Sequence, residues 1–150
     1  MQKITTFLTF KEHGLDAVNF YMTIFKNSKL NYMMRDGDKL QYASLSLDGT
    51  EFMAMDGGDN FYFALGTSLF VTCEDQSEVD DFWDKLTADG GEPEQCGWLK
   101  DKFGVSWQIV PKAMGQLMMD QDPAKVQKVM AAMLQMTKID VAGLHKAYNS

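Results

Sequence analysis

The sequence repeats itself. Phe7 to Thr9 answers Leu69 to Val71, Phe20-Tyr21 answers Phe82-Trp83, and Ile24 answers Leu86, each pair 62 positions apart. Gly49 and Phe52 answer Gly104 and Trp107 at the smaller offset of 55, so the second copy has shorter connections. Self-similarity at this period points to one supersecondary unit present twice.

Local patterns give the unit its content. Residues 3–10 are rich in Thr and Phe and read as a strand. Ala17, Val18, Phe20, Tyr21, Ile24 and Phe25 fall at helical spacing and predict a helix from Asp16 to Phe25. Leu30–Met34, Leu40–Leu47 and Glu51–Met55 follow as strands, separated by Asp36-Gly37 and Asp48-Gly49, where Gly tolerates positive φ. The second half runs in the same order. A strand covers Ser68–Cys73, and a helix capped by Ser77 carries Val79, Phe82, Trp83 and Leu86 inward and stops at Gly90-Gly91. Short strands are expected at Glu94–Cys96, Trp98–Lys102 and Val105–Val110, with a turn at Phe103-Gly104. Each half is thus a βαβββ unit, placed at 1–60 and 66–111. Residues 112–150 read as a helical extension. There Asp122 and Pro123 open a helix with Val126, Val129, Met130, Met133 and Leu134 on one face, and a last helix fits Val141–Tyr148. Half of the twelve methionines lie between Met114 and Met136, as flexible filler where an appended helix docks.

A chain of 150 residues is expected to form one domain able to bury about 70% of its unfolded surface without a staple. The net charge of −7, with 14 Lys and Arg scattered among 21 acids, excludes nucleic acid and anionic membranes as partners. The polar-interrupted start and the lack of a long apolar run fit neither a signal peptide nor a membrane span. With only Cys73 and Cys96 as cysteines, the expected location is the reducing cytoplasm.

A family resemblance adds to this reading. The stretch Gln95-Cys96-Gly97-Trp98-Leu99-Lys100-Asp101 through Trp107-Gln108-Ile109-Val110-Pro111 is similar to the signature block of the PhnB-like branch of the glyoxalase/bleomycin-resistance/dioxygenase (vicinal oxygen chelate) superfamily. Ala17-Val18-Asn19-Phe20-Tyr21, Phe52–Gly58, Cys73–Asp80 and Lys138–Ala142 resemble further parts of it, while Asp59 stands where the group favours Pro. The resemblance implies an α+β fold in which tandem βαβββ units form half-barrels around a small-molecule cleft, followed here by C-terminal helices. It also implies a homodimer.

Enzymes of that superfamily hold a divalent metal through His and Glu. The four matching positions fall here on Thr5, Met53 (or its neighbour Ala54), Ser68 and Gln108, none of them His or a carboxylate. Such donors hold zinc, nickel or iron poorly. His13 and His145 each lack a second ligand at useful spacing, and the acids of Asp56–Asn60 read as turn residues. Asp80-Asp81, Glu92 and Glu94 read as solubility charge. Ser106 lies in no nucleophile elbow, and neither cysteine has a nearby His.

The methyltransferase label attached to the group finds no support in the glycines. A nucleotide-like methyl donor is usually held by a Gly-rich strand-to-helix turn, and Gly57-Gly58 and Gly90-Gly91 form none. The leading expectation is a small-molecule-binding protein with neither metal nor cofactor. Thr5, Met53, Ser68 and Gln108 would form its floor, and Trp98, Phe103 and Trp107 its walls. The rivals are a metal-dependent lyase, isomerase or dioxygenase, and a structural dimer whose cleft is filled by its own side chains.

Overall fold

The repeat is carried into the strand pairing. A computed structural model describes residues 2–150, which divide into one unit ending at Phe63 and another running from Ala64 to Ser150. The first unit contains β1 (Thr6–Phe10), α1 (Gly14–Ile24), β2 (Lys29–Asp36), β3 (Lys39–Leu47) and β4 (Thr50–Asp56). Its sheet has the order β1-β4-β3-β2, with β1 parallel to β4 and the other neighbours antiparallel. The second unit contains β5 (Leu69–Cys73), α2 (Gln76–Thr87), β6 (Glu92–Pro93), β7 (Trp98–Lys100) and β8 (Ser106–Pro111). Its order is β5-β8-β7-β6, again with first and last strands parallel. The two sheets share one topology.

One helix packs on each sheet and buries one face. In the first unit Leu8 and Phe10 of β1, Ala43, Leu45 and Leu47 of β3, and Phe52 and Ala54 of β4 are buried two residues apart, the period of a half-covered strand. They face Ala17, Val18, Tyr21 and Ile24 of α1. The β3–β4 hairpin turns through Asp48 (φ 47) and Gly49 (φ 80), and two left-handed residues match the twist of the flanking strands.

Helix α1 begins two residues before the expected Asp16, and its start is held from a distance. His13 at the N-cap is itself left-handed (φ 66) and makes no side-chain cap. Instead the buried Asp56 carboxylate at the end of β4 accepts from Gly14 N (2.8 Å) through Oδ1 and from Leu40 N (2.9 Å) through Oδ2. Asp56 is therefore not the loose turn residue that the sequence suggests. It fixes helix, β3 and β4 to one another. A Cβ on Gly14 would lie 2.6 Å from Asp56 Oδ1, which explains the glycine.

In the second unit α2 is capped by Asp75, whose side chain accepts from Glu78 N (2.9 Å), rather than by Ser77. The helix ends at Thr87, three residues before the glycine pair. The expected strand at Glu94–Cys96 is displaced to β6, because Cys96 (φ 60) and Gly97 (φ 84) form a left-handed turn into β7. Strand β7 stops at Lys100, where the buried Asp101 carboxylate gathers the β7–β8 turn. Its Oδ1 accepts from Phe103 N (2.8 Å) and Val105 N (3.0 Å), and its Oδ2 accepts from Trp107 Nε1 (2.8 Å).

Three helices complete this unit: α3 (Lys112–Met118), α4 (Pro123–Leu134) and α5 (Val141–Tyr148). Asp122 caps α4 ahead of Pro123, and Asp140 caps α5. Val129, Ile139 and Leu144 form the buried centre, with Met114, Met118, Met133 and Met136 packed around it. Of the expected apolar stripe on α4, Met130 and Leu134 lie outside that cluster and are exposed. The 136–141 segment docks on the rest of the unit. Cys96 N donates to Met136 O and Gly97 N to Thr137 O, both at 2.8 Å. The Gln76 side chain donates to Ile139 O (3.0 Å) and accepts from Val141 N (2.7 Å). Lys138 pairs with Asp80 at 2.9 Å, and its hydrogen bond holds that carboxyl below its ordinary range. A depressed carboxyl stabilises above its unfolded pKa and ceases to do so as acid protonates it; this half-exposed pair contributes little.

Removing the Asp56 carboxylate should leave two buried N–H donors unmet. Asp56→Ala is expected to lose about 3 kcal/mol of unfolding free energy in urea. A loss within about 0.5 kcal/mol, typical of an indifferent surface site, would show that the carboxylate holds nothing.

Candidate functional site

Because one helix covers one face, each sheet presents a second face. In the second unit strand alternation decides which residues occupy it. Trp107 and Ile109 of β8 are buried, with Leu99 opposite Trp107 also buried. Gln108, between them, points the other way and is half-buried. Its direct cross-strand neighbours are Phe70 on β5, 56% exposed, and Trp98 on β7, half-buried. Gln108 Nε2 donates to Ser68 Oγ at 2.9 Å, the residue just before β5. One row beyond β7, Glu94 N donates to Trp98 O (2.9 Å), which makes Glu94 the next cross-strand neighbour in the same line. Its carboxylate Oε1 is buried and has no hydrogen-bond partner among the described residues.

The structure thus groups Ser68, Gln108 and Trp98 and adds Phe70 and Glu94. It places two of the expected wall residues elsewhere. Trp107 lies on the helix-covered face with its indole N–H bound to Asp101. Phe103 sits in the β7–β8 turn with Lys102 Nζ 5.5 Å from its ring centroid. Phe70 carried a signal in its pairing with Gln108, but that register is invisible along the chain. Glu94 carried none, since an acid beside Pro93 reads as surface charge.

In the first unit Thr5 lies half-buried ahead of β1, and the half-buried Met53 pairs with Phe7 on β1 and Ser44 on β3. The open face there carries a ladder of rings, Phe7 to Tyr42 at 6.4 Å and Tyr42 to Tyr32 at 6.0 Å. A depression in the same unit is lined by Lys11, His13, Asp38, Lys39, Asp56 and Gly57, where Lys11 faces Asp59 (3.7 Å) and His13 faces Asp16 (3.6 Å).

The donors at Thr5, Met53, Ser68 and Gln108 are two hydroxyls, a thioether and an amide engaged with one of those hydroxyls. They do not fit the divalent ion of the superfamily's enzymes. Among the described residues no three His, Cys, Asp or Glu are grouped to hold an ion. Asp56 and Asp75 place carboxylates at the starts of α1 and α2, so neither start is free for a phosphate group. Gly57-Gly58 leads into a loop, not a helix. Ser106 is buried within β8. Cys73 is buried, and desolvation, with Glu78 nearby, pushes its thiol up to about 12.

The family model described as 3-demethylubiquinone-9 3-methyltransferase matches residues 2–110. The chain belongs to this PhnB-like family. A PhnB protein from Bacillus cereus, itself described as a putative 3-demethylubiquinone-9 3-methyltransferase, is similar at 36% identity. The match covers 73% of this chain and 99% of that one, with a TM-score of 0.69. A Pseudomonas aeruginosa protein shares the fold at 21% identity and a TM-score of 0.62, over 74% and 98% of the two chains. A fosfomycin resistance protein, FosX, from Listeria monocytogenes, solved with Mn(II) and a dihydroxypropylphosphonic acid, shares it at 18% identity and 0.51, over 71% and 90%. The PhnB-like chain therefore has the glyoxalase/bleomycin-resistance fold of the vicinal oxygen chelate superfamily. No curated protein matches it. Residues 111–150, including the Lys138–Ala142 stretch, lie beyond the family model.

An unreactive Cys73 is checkable. Iodoacetamide at pH 8 should leave Cys73 unmodified in the folded protein and alkylate it only in denaturant. Rapid native alkylation at Cys73 would contradict its burial. Because the folded thiol pKa lies above its ordinary value, the stability tied to its protonated form is present below about 9 and lost as pH rises toward 12.

Proposed function

We propose that this PhnB-like protein binds a small organic molecule on the open faces of its sheets and does so without a metal ion. The observation that carries this is the Ser68–Gln108 hydrogen bond set between Phe70 and Trp98. A half-buried amide fixed by a hydroxyl and flanked by aromatic surface is the usual make-up of a small-molecule site: apolar walls with a few placed polar groups. The ring ladder of Phe7, Tyr42 and Tyr32 supports the same reading for the first unit. The donor set argues against a metal-dependent lyase, isomerase or dioxygenase. The glycines argue against methyl transfer, since neither Gly57-Gly58 nor Gly90-Gly91 opens a helix, although the family description names it.

Two further expectations belong to this reading. Two free cysteines and no helix long and apolar enough to cross a membrane, among the described residues, support the reducing cytoplasm. The edge strand β2 exposes Leu30 and Met34 beside its unpaired backbone edge, which supports a second copy of the chain as its cover. Sedimentation at micromolar concentration should give a dimer mass; a monomer there would remove the homodimer.

A thermal-shift screen of small metabolites, run with EDTA and with added zinc, nickel or manganese, tests the function. Stabilisation is expected to survive the chelator. Gln108→Leu should weaken the best hit about tenfold, the worth of one lost hydrogen bond, while shifting the melting temperature of the free protein little. Stoichiometric zinc, nickel or iron retained through purification would defeat the reading. So would unchanged affinity with a large drop in melting temperature.

A further inference from the structure

Glu92 and Glu94 sit two residues apart beside β7 on the same face, yet their surroundings differ. Glu92 is opposite Lys100, and the two form an ion pair at 3.6 Å. Glu94 is opposite Trp98, has no cation within ion-pair distance among the described residues, and buries Oε1 without any hydrogen bond. A carboxylate oxygen removed from water and left unpaired is destabilising, and native structures rarely keep one without a use. Its neighbours in the row are Trp98, Gln108 and Phe70. Glu94 and Gln108 lie two strands apart, about 10 Å at ordinary strand spacing, with Trp98 between them.

We propose that Glu94 is the recognition carboxylate of this face, and that the molecule it takes carries an ammonium or amidinium group on a flat apolar body. The inference rests on the small-molecule reading above and adds the ligand's charge and shape. With a turn of the half-exposed Glu94 side chain, a charged N–H donor restores the partner that Oε1 lacks, and such a bond is roughly twice as strong as one from a neutral donor. Trp98, next in line, offers an indole face to the same cation. The chain's net charge of −7 draws cations toward it and repels anionic competitors.

The test uses the full chain, labelled with nitrogen-15 and held at pH 7 with EDTA, and benzamidine and benzylamine as probes against benzyl alcohol and benzoate. Benzamidine and benzylamine should give saturable shifts of the Trp98 indole and Gln108 amide signals in the millimolar range, at least tenfold tighter than either control. Glu94→Gln should weaken benzamidine at least tenfold while leaving the melting temperature equal or higher, because it removes the charge from a carboxylate with one oxygen buried and unpaired. A melting temperature lowered by Glu94→Gln, or failure of that variant to fold, would make Glu94 structural and overturn the proposal. So would equal binding of benzamidine by both proteins, no saturable shift, or benzyl alcohol binding as well as benzylamine. Manganese or zinc alone binding stoichiometrically, and lost in Glu94→Gln, would assign the carboxylate to a metal and also overturn it. A neutral or anionic metabolite whose binding falls in Gln108→Leu but not in Glu94→Gln would sink this inference alone. No ligand of any charge would sink the functional reading with it.

Discussion

Each of these sheets has two faces and one helix to cover them. That imbalance governs the rest of the molecule. A helix spans roughly 10 Å with its side chains, enough to bury the inward residues of the middle strands on one side only. In the second unit the other side is only partly packed: Ser106 and Val110, in line with Gln108, are buried, while Gln108, Trp98 and Phe70 keep exposed surface. In the second unit Trp107, Ile109 and Leu99 obey the packing demand on the covered side. Gln108, Trp98 and Phe70, their immediate sequence or strand neighbours, do not. Packed and solvent-facing side chains are separated by a single step along the chain.

Two buried carboxylates make the covered side rigid. Asp56 joins the start of α1 and the start of β3 to the end of β4, and Asp101 ties the β7–β8 turn to the indole of Trp107. Both accept N–H groups that would otherwise be stranded, so each charge is surrounded by donors. They explain why Gly14 bears no side chain and why the short turn at Asp101–Gly104 keeps one shape. Another acid with a buried oxygen, Glu94, has no such donor for it among the described residues. The contrast separates carboxylates that hold the fold from one that does not.

Much of the architecture was legible because its signals are local. Period-two strands, the Asp48-Gly49 hairpin, the Asp122-Pro123 helix start and the Val141–Tyr148 helix are each written in a few adjacent residues. The errors are those where the deciding partner is distant or the competitor is close. Helix α1 starts early because its acceptor comes from Asp56, 42 residues away. Helix α2 takes Asp75 as cap although Ser77 is an equally good residue type two positions on. Trp107 was misassigned to a wall because alternation tells which residues share a face, not which face is covered. Glu94 was read as solvent charge because burial of one oxygen is a property of its neighbours. On the open face, Ser68 and Gln108 were singled out from sequence and are indeed bonded, whereas Phe70 needed the register.

The docking of Met136–Val141 bears on where this domain truly ends. The family model stops at residue 110, yet backbone groups of Cys96 and Gly97 are completed by Met136 and Thr137, and Ile139 lies against the space a side chain on Gly97 would need. The last forty residues are thus woven into the unit they follow. Cutting at the family boundary would strip the turn before β7 of its hydrogen-bonding mates, and with it the footing of Trp98.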